Sequence, residues 1–340
     1  MAGAGEGGVY YEDKIQTLKS MFGVTDIALQ SDSLTVGQKR FPILHDVIIV
    51  SDPTEYTGFV QAALRARTEG RPDDRTGFAE DIQFTFGEEW KEYSEILPEH
   101  QQEFAQYFDL LDVNSFHHAC ICDLGCGSGR WSHFLKDVCR EIILVDFSDA
   151  IFVARKNLAA SRNALFFMGD LQVLPFKKDF CDFILCLGVL HHLPLPSLDA
   201  VRRLGSFAPR LLIFLYYALD NRPVYFRVLL STVTLIRRVL CRIRRPGLRK
   251  LVARAGALLL YQPLIGVGKV LRPFKLSRYV PLYEFYHTKS LRRIEQDVYD
   301  RFFTRIEQRV SRNEIRELCD TFTHVIVSDN MPYWHFLCIR

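Results

Sequence analysis

The sequence predicts an α/β fold built on a doubly wound sheet, and three observations carry that prediction. Short apolar runs at 121–124, 141–145, 164–168 and 181–187 alternate with segments of helical spacing, the pattern of βαβ units. Each run closes on a glycine or an acid, so polar groups gather along one sheet edge, where such folds bind ligands. At 340 residues and 48% hydrophobic content, the chain can bury one α/β domain plus about a hundred residues of additions.

The first run enters Asp123-Leu-Gly-Cys-Gly-Ser-Gly129, with glycines at every second position. Gly125, Gly127 and Gly129 lack a Cβ, so this turn can adopt positive φ and lie flat against a ligand. A dinucleotide loop reads G-x-G-x-x-G and presents a helix N-terminus to a pyrophosphate. Here the third glycine comes one residue early and Asp123 opens the loop. An acid suits a cationic ligand, such as one bearing an ammonium or a sulfonium. Residues 132–140 read as a helix and 141–146 as a strand ending in Asp146, 17 residues after Gly129, placed to accept from a ribose diol. A helix over 149–161 and a strand over 164–168 lead to Gly169-Asp170, a carboxylate placed for an adenine amino group. The strand 181–188 then runs into Val189-Leu-His-His-Leu-Pro194.

These motifs resemble those of class I S-adenosylmethionine-dependent methyltransferases of the type 11-like group that includes ubiquinone-pathway enzymes. Asp123 to Gly129 is similar to the first motif, Val145-Asp-Phe-Ser-Asp149 to the ribose strand, Gly169 to Phe176 to the adenine motif, and Leu187 to Leu193 to the fourth-strand motif. The resemblance covers roughly 84–219 and 304–340. It implies a seven-stranded Rossmann-like sheet with S-adenosylmethionine as cofactor, held by Asp123, Gly125, Cys126, Gly127, Gly129, Asp146, Phe147, Asp170, Leu171 and Leu187. It does not specify the acceptor.

Before this core, residues 1–9 read as a disordered leader without the apolar stretch of a signal peptide. Residues 10–22 have helical spacing, and 34–50 alternate as short strands around Phe41-Pro-Ile43. Residues 34–50 resemble the second half of a Trm112-like zinc-ribbon module without its cysteines, which implies that 10–52 is a metal-free, β-rich remnant. Residues 53–83 read as a linker, and Phe86-Gly-Glu-Glu-Trp90 resembles a short motif that caps the cofactor pocket in some of these enzymes. All nine cysteines lie from Cys120 onward, with Cys120, Cys122 and Cys186 in apolar strands and no CxxC pair, so neither zinc nor disulfides are expected. The chain is expected in the cytoplasm, free or peripheral on a membrane.

Charge is segregated. Residues 221–283 hold 14 Lys and Arg and no acid, so the rest of the chain carries 29 basic and 40 acidic residues and the net charge of +3 hides a strong polarity. Apolar runs at 228–236 and 255–268 lie within the segment. Crossing a bilayer needs about 20 apolar residues, and the longer run is interrupted by Pro263 and by glycines. Three readings stay open for this insertion, placed at 220–303: an interfacial element contacting an anionic membrane or a lipid substrate, a helical lid, or a surface tracking nucleic-acid phosphates. The apolar density weighs against the third.

The segment follows the fifth strand, 210–219, and therefore roofs the substrate cleft. Ser311 and Glu314 form a capping box that starts the last helix, which ends near Thr321. Residues 324–328 and 334–340 read as the last two strands, the final one antiparallel as the resemblance implies. If the methyl acceptor is a hydroxyl, a base near neutrality helps, and His191 and His192 stand where the acceptor should sit. Tyr216, Tyr217, His287 and Arg309 are weaker candidates for acceptor contacts. The expected function is O-methylation of a small or lipid-like molecule. An RNA-modifying enzyme or a cofactor-binding scaffold is the alternative, and the lack of an Asn-Pro-Pro-Tyr-like motif disfavours methylation of base amino groups.

Overall fold

The structure is a computed structural model that describes residues 10–65 and 77–340. Its strands are β1 (Ile27–Leu29), β2 (Ser33–Val36), β3 (Lys39–Leu44), β4 (Val47–Ile49), β5 (Cys120–Leu124), β6 (Glu141–Asp146), β7 (Ala164–Met168), β8 (Phe183–Leu187), β9 (Arg210–Phe214), β10 (His324–Val327) and β11 (His335–Ile339). They form one sheet in the order β1-β2-β3-β4-β7-β6-β5-β8-β9-β11-β10. Strands β4 to β9 pair in parallel, whereas β11 runs antiparallel to both β9 and β10. From β7 to β10 this is the doubly wound arrangement the motifs imply, with the antiparallel final strand inserted beside β9.

The sheet has eleven strands rather than seven, and the reason lies at β7. All five β7 residues are buried, so its outer edge cannot face water. β4 covers that edge, pairing Ile48 with Phe167 and Ile49 with Met168. The hydroxyl of Tyr10 donates to the Ala164 carbonyl at 2.8 Å, and the Phe166 N–H donates to the Tyr11 hydroxyl at 3.2 Å. Leu18, Met21, Phe22, Leu34 and Phe41 share one core with Ile143, Leu165 and Phe167. Residues 10–52 are therefore an extension of the main sheet, and the expectation of a separate Trm112-like module finds no support.

The expected leader and residues 66–76 of the expected linker lie outside the described residues. The rest of 53–83 is largely helical, in Gly58–Arg65 and in the first turns of Gly77–Glu92. Thr57 starts the first helix by accepting from the Val60 N–H at 3.2 Å, and Val60 is fully buried. The capping box forms as read: Ser311 and Glu314 bond each other's backbone N–H groups, starting Arg312–Arg316.

The insertion is helical, with Val224–Leu240, Pro246–Gly256, Gln262–Leu271, Tyr283–Tyr286 and Leu291–Phe303 packed into their own core. Pro263 does not break it. Helical backbone runs from Pro246 to Phe274, 29 residues, because a π-turn at Ala257–Tyr261 widens the helix just before the proline and absorbs its missing N–H. This corrects the expectation that no run is long enough to span. By length and composition the helix could cross a membrane, with 28% of its most apolar stretch buried. It packs lengthwise on the protein, through Ala253, Ala257, Tyr261, Ile265 and Gly268.

Candidate active site

At the end of β5 the chain turns back against β6, with the Gly125 and Cys126 N–H groups donating to the Val145 carbonyl at 2.8 and 3.1 Å. Gly125 and Gly127 have φ of +70° and +54°. A Cβ on Gly125 would meet Val189 at 2.4 Å, and one on Gly127 would meet the Trp90 indole at 2.6 Å, so only glycine allows these approaches. Trp90 belongs to the motif read as a cap and lies directly on the loop.

The loop's remaining residues do structural work. Asp123 is 1% exposed and accepts from the Ser132 hydroxyl at 2.7 Å. Burial raises its carboxyl to about 6, opposed by the Ser132 bond. It stands behind the loop and does not line the cavity, which corrects its reading as a direct partner for a cationic ligand. Cys126 and Gly129 likewise point away from the cavity. Cys126 joins the core, and Gly129 starts the helix Arg130–Leu135 where a Cβ would press on Leu158 and Ala154.

Beside the loop opens a cavity of about 510 Å³. One half is lined by Trp90, Gly125, Val145, Asp146, Phe147, Gly169, Asp170, Leu171, Leu187 and Val189, uniting six of the ten residues expected to hold the cofactor. The carboxylate of Asp146 accepts from the Gly127 N–H at 2.9 Å and from the Ser148 N–H and hydroxyl at 2.9 and 2.7 Å. It therefore ties the ends of two strands together while facing the cavity. Asp170 is fixed by the Gln172 N–H at 2.8 Å. Burial raises both carboxyls. Arg130, next to the loop, stacks over Trp90 and Trp131 and leaves Nη1 buried without a hydrogen-bond partner. A backbone cradle, two carboxylates, an apolar slot and an unsatisfied cation fit the adenosine, ribose and amino-acid portions of S-adenosylmethionine.

The other half holds His192, Tyr216, Tyr217, Asp300, Arg301 and Arg309. The two histidines separate cleanly. His191 is fully buried, stacked on Tyr216 at 3.9 Å, and does not line the cavity. Burial holds its pKa well below the usual imidazole value, which corrects its candidacy as a base. His192 lies in the wall, with Nδ1 2.8 Å from the Ile306 carbonyl. A carbonyl only accepts, so Nδ1 carries a proton, and in the neutral form of the ring Nε2 is the acceptor. Nε2 lies 3.9 Å from Asp300 Oδ1, and both atoms are buried without a hydrogen-bond partner. Asp300 Oδ2 accepts from the Tyr216 hydroxyl at 3.0 Å. Burial raises the Asp300 carboxyl, and His192 opposes the rise. Arg309 is braced by Glu307 and the Tyr217 carbonyl, whereas His287 stacks on Tyr283 outside the cavity.

Glu89 and Arg130 were not legible as site residues, and nothing in the sequence placed Asp300 against His192. Glu89 is 3% exposed with Oε2 lacking a partner, and burial together with Asp300 raises it well above the usual carboxylate range. Only its place beside Trp90 in the capping motif hinted at it. Asp300 lies over a hundred residues from His192, and the helix Leu291–Phe303 brings it beside His192 and Tyr216, in the segments that follow β8 and β9.

Residues 121–205, a quarter of the chain, match the family model described as a methyltransferase domain. No curated protein matches. Among solved structures the chain is similar to a magnesium protoporphyrin IX methyltransferase from Synechocystis with bound S-adenosylhomocysteine (23% identity, 52% of this chain, 74% of that chain, TM-score 0.32). It is also similar to a methyltransferase from Aquifex aeolicus (19%, 36% and 69%, 0.31) and to phosphoethanolamine N-methyltransferase 1 from Haemonchus contortus (15%, 39% and 32%, 0.33). The last match spans about a third of that enzyme's length, and others span under six-tenths of the solved chain. Over residues 121–205 the chain is similar to a methyltransferase domain, whose cofactor is S-adenosylmethionine.

Proposed function

We propose that the protein O-methylates a small or lipid-like acceptor, with His192 as general base. The observation that carries this reading is a pair of buried acceptor atoms beside the cofactor half, His192 Nε2 and Asp300 Oδ1, neither with a hydrogen-bond partner. Buried polar atoms are rarely left unsatisfied, so a group seated there should bring hydrogens, as a hydroxyl does.

When bound, the cofactor supplies an electrophilic methyl on sulfur. This chain's residues would hold the acceptor hydroxyl beside the cofactor half of the cavity, and His192 Nε2 would take its proton as the methyl leaves sulfur for the acceptor oxygen. The imidazolium is then met by the Asp300 carboxylate, which Tyr216 holds in place. An RNA acceptor is disfavoured because the basic insertion exposes large apolar side chains between its cations. Incubation with methyl-tritiated S-adenosylmethionine and a total lipid extract tests the reading. Label is expected in the organic phase, falling roughly 10²- to 10⁴-fold with His192→Ala; no transfer by the wild type to lipid or small-molecule fractions contradicts it.

A further inference from the structure

Large apolar side chains are not scattered over this surface. Of the 20 exposed among the described residues, all but Phe59, Val173 and Ile326 lie within 224–279. A monomer seldom presents so concentrated an apolar face without something to cover it. On the helix running from Pro246 to Phe274 one side is seated on the protein. The opposite side presents Leu251, Leu259, Val267, Val270 and Phe274, with Leu259 80% and Val270 70% exposed.

Cations flank this face. Three of the segment's basic residues are spent inside the fold. Arg237 bonds the Thr304 carbonyl, Arg249 bonds the Ile243 carbonyl, and Arg222 pairs with Glu284. The other eleven are exposed, and among them Arg238, Arg242, Arg245, Lys269, Arg272 and Lys275 form no ion pair among the described residues. Apolar side chains among unpaired cations, with no acid between 221 and 283, complement an anionic lipid surface, where each basic residue contributes about 1 kcal/mol.

The face also communicates with the active site. Leu229 and Leu260 are 48% and 41% exposed, and both line the cavity that holds His192. Phe226, Val233, Leu264 and Phe285 line the same cavity and give it apolar surface, alongside the polar group at His192 and Asp300.

We infer that this face docks on an anionic bilayer and that the acceptor is an amphiphile drawn from it past Leu229 and Leu260, its tail lying along the apolar wall and its hydroxyl at His192. The route rests on the acceptor site proposed above; the docking does not. A helix that lies along the protein, with one side seated and the other bare, suits insertion in the plane of the interface.

The test is co-sedimentation of the full chain with phosphatidylglycerol–phosphatidylcholine vesicles and with phosphatidylcholine alone, with S-adenosylhomocysteine binding measured on every variant. The wild type should partition at least tenfold more onto the anionic vesicles at low salt. Leu259→Asp with Val270→Asp, and separately Arg242→Glu with Arg245→Glu, should each cut that partition at least tenfold while leaving the cofactor affinity unchanged. If the apolar variant fails to bind the cofactor through misfolding, the charge variant decides. Equal partition onto both vesicle types, or anionic partition that neither double variant reduces, overturns the docking. Loss of cofactor binding in the wild type with partition intact overturns the methyltransferase reading alone. For the route, Leu229→Trp with Leu260→Trp should lower label transfer to vesicle lipid at least tenfold without changing partition, and undiminished transfer overturns it.

Discussion

Nε2 of His192 and Oδ1 of Asp300 face each other across 3.9 Å, each buried and each without a hydrogen-bond partner. The gap is too long for a direct hydrogen bond and suits a shared donor between them. The partners that fix the pair lie elsewhere: Ile306 holds the imidazole through Nδ1, and Tyr216 holds the carboxylate through Oδ2.

His192→Ala should therefore bind cofactor normally and lose roughly 10²–10⁴ in turnover. Asp300→Asn should bind cofactor normally too, lose turnover, and shift the alkaline-rising limb of the pH–rate profile to lower pH, because the imidazolium loses its anionic neighbour. Steady-state rates across pH with calorimetric cofactor affinities check both. A profile unmoved by Asp300→Asn removes the carboxylate from the mechanism.

His191 is expected to behave oppositely. Its ring packs on Tyr216 and reaches no cavity, so His191→Phe should keep turnover within a few-fold. His191→Ala should instead cost about 3 kcal/mol of stability, as for removal of a buried ring. Denaturant melts alongside activity assays separate the two. A hundredfold loss of turnover in a stable His191→Phe protein would return His191 to the chemistry.

The pair His191 and His192 marks where sequence reading reached its limit. Glycine spacing, Asp146 and Asp170 were legible because local βαβ geometry fixes where strand ends point. Which of two adjacent histidines faces the cleft depends on the 3₁₀ turn at Leu190–His192 and on a loop over a hundred residues away that supplies Ile306. The N-terminal strands were legible as strands, but their pairing partner was not, since pairing with β7 is a long-range contact. The π-turn that carries a helix past Pro263 leaves no local signature either.

Asp123 makes stability depend on pH. Its folded pKa of about 6 lies above the ordinary value of about 3.9, so between these values the folded chain holds a proton that the unfolded chain has released. Stability accordingly falls as pH rises through that window, by about 3 kcal/mol in all. Asp123→Asn keeps an oxygen for Ser132 and carries no charge, so its melting temperature should vary less between pH 4 and pH 7 than that of the wild type. Parallel thermal melts of the two cofactor-free proteins check this, and equal slopes contradict it.

Gly127→Ala should weaken the cofactor cradle in a specific way. The new methyl meets the Trp90 ring at 2.6 Å at a positive φ, so the cap must lift or the loop must move. Cofactor affinity should drop and Trp90 fluorescence should change, and Trp90→Ala in the Gly127→Ala background should restore part of the affinity. No recovery places the defect in the loop backbone rather than in the cap.

The measurement that bears most directly on the whole account is calorimetric titration of S-adenosylhomocysteine into the wild type and Asp146→Ala. Asp146 faces the cofactor half of the cavity while accepting from Gly127 and Ser148. The expected result is one site per chain in the wild type, weakened by about 1.5–3 kcal/mol in the variant, or roughly 10- to 150-fold in Kd. Binding of equal strength in both proteins, or no binding by the folded wild type, contradicts the assignment of this cavity to the cofactor.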